Sequence, residues 1–128
     1  MSSPSSSSFP QPEKHEGFTL VVSVTIQPDK VDEWLGHFWK AFDRVSAEPE
    51  CLSFEVFRYP DQPNKVKWVE NWSKSVAWFM ENQISKAYMQ AYLEATDPLL
   101  MGEREKEVLE RFGGKWARAR EGVYDKSY

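Results

Sequence analysis

The chain has a single cysteine, Cys51, and only two histidines, one of which lies in the N-terminal tail. One cysteine excludes an intramolecular disulfide and is typical of a protein from a reducing compartment. These residues are too few for a His/Cys metal cluster, and no motif points to a carboxylate-only metal site. The chain also lacks a glycine-rich phosphate loop and a dinucleotide fingerprint. We therefore expect no metal and no cofactor.

Blocks of one charge and long apolar runs are also missing. The net charge is −4, with acidic and basic residues interspersed, and the mean hydropathy is −0.64. The lack of a basic block argues against nucleic acid as a partner, and the lack of a long apolar run argues against a membrane span. The N-terminal segment has no apolar core and no early Lys or Arg, so it does not resemble a secretory signal. We expect a cytoplasmic protein.

Aromatic residues, in contrast, are abundant. They make up 15% of the 128 residues, with six Trp and eight Phe. This supply can fill a core and still line a pocket. The length favours one domain, which we place at residues 17–114. Residues 1–16, rich in Ser and Pro, are predicted to be a disordered tail, and residues 115–128 a C-terminal extension.

Hydrophobic periodicity predicts the first half of the fold. Residues 18–26 alternate in the manner of a strand, and Pro28 ends the alternation. Residues 31–47 carry an apolar stripe at helical spacing, formed by Val31, Leu35, Phe38, Phe42 and Val45. Residues 49–72 contain two alternating segments around a turn rich in Pro, Asp and Asn, which indicates a β-hairpin.

The second half is less regular. Ser73 is a candidate N-cap for a helical segment that reaches about residue 81, and Ser85 for a further helix that reaches about residue 95. Residues 99–128 fit a helix, yet residues 107–112 fit a fourth strand equally well. The order of elements predicts an α+β fold, a ferredoxin-like sandwich whose antiparallel sheet is covered on one face by helices.

The hairpin carries a distinctive face. Trp68, Glu70 and Trp72 alternate along its second strand, and in the predicted register Phe54 faces Glu70. One interpretation is a set of core aromatic residues with a carboxylate at the rim. The other is a flat slot for a polycyclic aromatic ligand, walled by indole rings and by residues of the following helix such as Trp78.

The opposite face of the sheet mixes apolar and polar residues. Its members are Thr19, Val21, Ser23, Thr25, Glu55, Phe57, Lys67, Val69 and Asn71. This mixture is too apolar for a face open to water and too polar for a core. We therefore expect two copies of the chain to pack sheet against sheet as a homodimer.

From residue 18 to residue 114, the order and spacing of these features resemble the antibiotic biosynthesis monooxygenase domain. The likeness is carried by Glu48-Pro49-Glu50-Cys51, by Glu70-Asn71-Trp72 at the end of the aromatic strand, and by the helix that follows directly. The resemblance implies a dimeric α+β barrel with a pocket between sheet and helices. Within this family, the chain is similar in particular to cofactor-free monooxygenases that form quinones from aromatic polyketides.

The same resemblance implies which residues line that pocket. Trp72 matches a tryptophan that lines it in the family, whereas Trp68 and Trp78 stand where the family has Asn and Tyr. Tyr92 falls near a family arginine. Its phenol could bind a substrate carbonyl, or it could simply pack at the edge of a helix.

Glu70 and His37 are the candidates for a catalytic base. A carboxyl group buried between apolar walls has its pKa raised, which suits acid–base catalysis. His37 lies beside the apolar stripe of the predicted helix and would be a proton acceptor if that edge borders the pocket; otherwise it is an inert, partly exposed residue. Cys51 has no His–Asp partner and is expected to be a small buried hydrophobe.

Three functions are compatible with these features. The first is an enzyme of secondary metabolism that oxidises an aromatic polyketide, for example an anthrone, with molecular oxygen and no cofactor. The second is a polyketide cyclase, dehydratase or isomerase that uses the same pocket for acid–base catalysis. The third is a dimer that binds a ligand without catalysis.

Overall fold

The computed structural model describes residues 8–124. Four strands form one antiparallel sheet in the order β2-β3-β1-β4. The strands are β1 (Phe18–Thr25), β2 (Cys51–Tyr59), β3 (Gln62–Trp72) and β4 (Glu105–Glu110). The helices are α1 (Val31–Ser46), α2 (Val76–Trp78), which continues as a π-helical turn over Phe79–Gln83, and α3 (Ala87–Thr96). Short 3₁₀ turns cover Asp97–Leu99 and Gly114–Trp116.

The sheet is covered by helices on one face, which confirms the predicted ferredoxin-like sandwich. The central strand β1 pairs with β3 on one side and with β4 on the other. The predicted hairpin register is confirmed, since Phe54 pairs with Glu70 and Val56 pairs with Trp68. Residues 107–112 fit either a helix or a strand by sequence, and the structure has a strand there that spans Glu105–Glu110, two residues earlier than predicted.

The buried face of α1 is rotated relative to the predicted stripe. Its buried residues are Trp34, Phe38, Ala41 and Val45. The predicted members Val31, Leu35 and Phe42 are only partly buried. The large Trp34 ring determines this orientation, because it stacks on Phe38 at 4.6 Å between ring centroids and contacts the Trp68 ring at 5.9 Å.

The two predicted helix caps after the hairpin are wrong. Ser75, not Ser73, caps α2, because its hydroxyl accepts a hydrogen bond from the Trp78 backbone N–H at 3.0 Å. The Ser73 hydroxyl instead donates to the Glu50 carbonyl at 3.3 Å. Ser85 does not cap α3, since its hydroxyl donates backwards to the carbonyl of Glu81 at 2.6 Å. After α2, residues 79–83 form a π-helical turn, and α3 begins at Ala87.

The contacts divide the described chain into two units, residues 16–110 and residues 8–15 together with 111–124. Within the second unit, the Trp116 indole N–H donates to the Pro10 carbonyl at 2.9 Å. Residues 1–7 of the predicted tail and residues 125–128 of the predicted extension lie outside the described residues. Nothing in residues 8–124 forms a helix that is both long enough and apolar enough to cross a bilayer.

Candidate functional site

A cavity of about 250 Å³ lies between the sheet and the helical layer. Its walls are mostly aromatic and aliphatic, and include Phe18, Leu20, Phe38, Phe54, Phe79 and Met89. Trp68, Glu70 and Trp72 also line it. Strand β3 presents these three side chains together, because residues two apart in a strand point to the same face. The structure therefore brings together the central group of predicted site residues.

Glu70 is the chemical centre of this cavity. Its side chain is buried, with 7% exposure. The Trp68 indole N–H donates to Oε2 at 2.8 Å, and the Trp72 indole N–H donates to Oε1 at 3.0 Å. Each carboxyl oxygen thus accepts one hydrogen bond and keeps a second lone pair available. The two bonds hold the carboxyl group in one orientation in the wall.

The protonation of Glu70 responds to this environment. Burial raises its pKa from 4.5 to about 7, although the hydrogen bonds from Trp72 and Trp68 act in the opposite direction. Desolvation dominates because the charged form loses the hydration that it has in water. At neutral pH both forms of Glu70 are therefore populated. A carboxyl group in this state can accept a proton and return it.

Tyr92 reaches the cavity from α3. It is buried, and its hydroxyl has no hydrogen-bond partner within residues 8–124. Burial raises its pKa to about 12, against the opposing effect of the nearby Arg104 guanidinium. The phenol is therefore neutral at ordinary pH and has a proton to donate. This arrangement fits the substrate-binding prediction for Tyr92, which stays a prediction.

Arg104 and Gln83 also line the cavity, and sequence reasoning did not identify them. The Arg104 guanidinium carbon lies 5.9 Å from the centroid of the Tyr92 ring, and its Nη2 donates to Thr96 Oγ1 at 2.8 Å. Arg104 also pairs with Asp97. An arginine thus lies beside Tyr92, although it comes from the segment before β4 instead of the last helix. No local pattern signals this position, because it depends on the pairing of β4 with β1.

Most residues with unpaired buried polar atoms line this cavity. Among the described residues, four buried side-chain nitrogen or oxygen atoms have no hydrogen-bond partner. Three of them belong to residues that line the cavity, namely Gln83 Oε1, the Tyr92 hydroxyl and Arg104 Nε. Buried polar atoms are normally paired, because an unpaired one loses the full free energy of its hydration. A mostly apolar pocket with a few free polar atoms is the usual form of a ligand site.

Two predicted site residues lie outside the cavity wall. Trp78 is half-buried behind it, with its ring 6.2 Å from the Trp72 ring. His37 lines an open groove of about 880 Å³ between α1 and α3, which shares two lining residues with the cavity but does not include Glu70. It precedes the buried Phe38, and one helical step rotates a side chain by about 100°. The structure therefore does not bring His37 together with Glu70.

Cys51 is half-buried, and burial raises the pKa of its thiol to about 12. The thiol is therefore protonated and a poor nucleophile. Within residues 8–124, no group of three or more His, Cys, Asp or Glu side chains is placed to hold a metal ion.

Comparison with known proteins defines the class. The model of the antibiotic biosynthesis monooxygenase family matches residues 17–91, more than half of the chain. A protein of Pestalotiopsis microspora named "Putative monooxygenase GME11364" is 34% identical over 98 residues, which cover 76% of this chain and 82% of that protein. The chain belongs to the antibiotic biosynthesis monooxygenase family. Membership supports a function of the monooxygenase type.

Solved structures agree on the fold. A conserved protein from Methanosarcina mazei Go1 has a TM-score of 0.67 at 16% identity and covers 74% of this chain and 92% of its own. A structure titled as an antibiotic biosynthesis monooxygenase has a TM-score of 0.67 at 13% identity, with coverage of 73% and 96%. At these identities the likeness concerns the fold alone.

Proposed function

We propose that this protein is a cofactor-independent monooxygenase of secondary metabolism that oxidises a small aromatic polyketide-type substrate with molecular oxygen in the cytoplasm. One observation carries the proposal. Glu70 is buried in an aromatic cavity, two indole N–H groups orient it, and its pKa is about 7. Such a carboxylate is matched to proton abstraction near neutral pH.

The chemistry needs little beyond this group. A substrate such as an anthrone has an acidic methylene beside conjugated rings, and the Glu70 carboxylate takes one of its protons. The resulting carbanion is electron-rich and transfers electrons to O₂, so that a carbon–oxygen bond forms. Loss of the second methylene proton and cleavage of the O–O bond then give a carbonyl group and one molecule of water. Carbon is oxidised and oxygen is reduced, and no other redox partner is needed.

The residues that line the cavity have two roles in this reaction. The phenol of Tyr92 can donate a hydrogen bond to the oxygen on which negative charge develops, which stabilises the anion in a medium of low dielectric. The aromatic side chains exclude water and hold the planar ring system. The volume of about 250 Å³ lies just below the roughly 300–1,000 Å³ typical of sites for drug-sized ligands. The substrate class is therefore small, with two or three fused rings.

The test is oxygen uptake by metal-free protein with anthrone under air, followed with an oxygen electrode and by product absorbance. We expect one O₂ per product and a loss of roughly 10²–10⁴-fold in rate for Glu70→Gln, the range of a general base. Tyr59→Phe, at the outer end of β2, is the matched control. No rate above buffer across a panel of bicyclic and tricyclic substrates would sink the proposal.

A second candidate is a polyketide cyclase, dehydratase or isomerase. The pKa of about 7 favours it, because Glu70 could act as acid and base within one turnover without oxygen. Product formation under nitrogen at the same rate as under air would select this alternative.

We also propose that the protein is a homodimer formed through the sheet face that the helices leave uncovered. Phe57 and Leu109 lie on that face and are 46% and 45% exposed. Val69 lies between them on β3 and is half-buried. An apolar patch of this kind usually indicates an interaction surface.

A further inference from the structure

Gln83 has an unusual environment in the cavity wall. It ends the π-helical turn and its side chain is completely buried, with 0% exposure. Its Nε2 donates a hydrogen bond to the Tyr88 hydroxyl oxygen at 2.7 Å, whereas its Oε1 has no partner within residues 8–124. The amide therefore has one satisfied end and one free end. The two ends have opposite hydrogen-bonding character, so it matters which one faces the cavity.

Groups outside the cavity determine that orientation. The Tyr88 hydroxyl donates to Glu48 Oε2 at 2.7 Å, and Lys86 Nζ lies 2.6 Å from the same oxygen. The Lys86 hydrogen bond is the main reason that the pKa of Glu48 is lowered, so this group is a carboxylate that can only accept. Tyr88 has one proton and gives it to Glu48. Its oxygen must then accept from the amide nitrogen of Gln83.

The orientation of the Gln83 amide matters for the cavity. Tyr88 lines the outer groove and not the cavity, whereas Gln83 lines the cavity. With its nitrogen turned toward Tyr88, the amide of this cavity-lining residue keeps its unpaired oxygen on the side away from Tyr88. The Arg44 guanidinium carbon, 4.3 Å above the centroid of the Tyr88 ring, helps to keep this phenol in place. Groups outside the cavity thus determine that the unpaired end of the Gln83 amide is a hydrogen-bond acceptor.

We propose that Gln83 is a specificity-determining residue that selects aromatic ligands with a hydrogen-bond donor, such as a phenolic hydroxyl, on the ring edge next to it. The inference rests on the proposed function, because it assumes that the cavity binds a flat aromatic molecule. A ligand with a donor satisfies Oε1. A ligand without one leaves a buried acceptor unpaired, which costs binding free energy.

The experiment compares two probes that differ by one hydroxyl, 2-naphthol and naphthalene, by isothermal titration calorimetry at pH 6. We expect wild-type protein to bind 2-naphthol roughly three- to tenfold more tightly, the range for one net hydrogen bond. Gln83→Leu should remove this preference. Tyr88→Phe should weaken it, because the amide is then free to turn its nitrogen inward. Tyr59→Phe, a Tyr→Phe change away from the cavity and the groove, should keep it in full.

The outcomes separate this inference from the proposed function. Equal affinity of wild-type protein for the two probes overturns the role of Gln83 but leaves an aromatic site in place. An unchanged preference in Gln83→Leu, in a variant that circular dichroism shows to be folded, also overturns it, since the hydroxyl would then bind elsewhere. If Tyr88→Phe keeps the full preference for 2-naphthol, the claim that Tyr88 orients the Gln83 amide is overturned. Failure of both probes to bind overturns the inference and the proposed function together.

Discussion

Burial of Glu70 should make the stability of the protein fall as the pH rises. The pKa of Glu70 is about 7 in the folded protein against an ordinary value of 4.5. Between these two values the folded state holds a proton that the unfolded state has released. The contribution of Glu70 to the free energy of unfolding must therefore decrease from about pH 4.5 to about pH 7 and become constant above it. At about 1.36 kcal/mol for each pH unit, the contribution of Glu70 amounts to about 3 kcal/mol.

This is a large part of the roughly 5–15 kcal/mol by which a domain of this size is stable. Urea unfolding, followed by tryptophan fluorescence from pH 4.5 to 8, measures it. Glu70→Gln is the matched variant, because an amide fills the same space and does not titrate. Its nitrogen faces one indole N–H unfavourably, but this cost is the same at every pH. Subtracting the two curves also removes the contributions of all other titrating groups.

We expect wild-type protein to lose about 3 kcal/mol relative to Glu70→Gln across this range. Parallel curves for the two proteins would refute the reasoning, since they would mean that Glu70 has an ordinary pKa in the fold. A wild-type curve that rises relative to the variant would mean that hydrogen bonds from Trp68 and Trp72 outweigh desolvation. Either result would remove the main support for a base that works near neutral pH.

Three further predictions concern other residues. Trp68→Phe keeps a ring but removes one N–H donor to the Glu70 carboxylate, so the apparent pKa in the pH–rate profile should rise by roughly one to two pH units; an unchanged profile would contradict the contact. His37→Gln should leave the oxidation rate within about twofold, because His37 does not line the cavity that holds Glu70 and a general base is worth about 10²–10⁴-fold; a hundredfold loss would support His37 as the catalytic base. If the protein is a dimer as proposed, Phe57→Glu should be a monomer in sedimentation velocity; monomeric wild-type protein at micromolar concentration would contradict the proposed interface.

The hairpin shows what periodicity can predict. A strand alternates its side chains strictly, so Trp68, Glu70 and Trp72 must share a face whatever surrounds them. The register with β2 also followed from matching apolar positions, and the structure confirms it. The chemistry of the site was therefore predictable to the extent that one strand carries it.

Helices and long-range pairing were harder. On α1, consecutive side chains point about 100° apart around the helix axis. Because apolar residues lie on both sides of His37 in the sequence, the pattern could not predict whether its side chain faces the cavity. Gln83 depends on a π-helical turn that no local signal indicates, and Arg104 depends on the pairing of β4 with β1. Both reach the cavity only after distant segments have packed. Hydrophobic periodicity reports only on residues that are close in sequence. It therefore cannot predict Gln83 or Arg104 as site residues.

The polar atoms favour a ligand site over a packed core. Aromatic walls alone are compatible with either, since a core of this composition gains from every ring that it buries. Glu70, Gln83, Tyr92 and Arg104, however, come from three elements and the segment before β4, and all four residues line one cavity. Apolar side chains of similar size would avoid the desolvation of all four, and such replacements in a core are often neutral or stabilising. A ligand that pairs with the free atoms of Gln83, Tyr92 and Arg104 would explain this arrangement, which supports the proposed site.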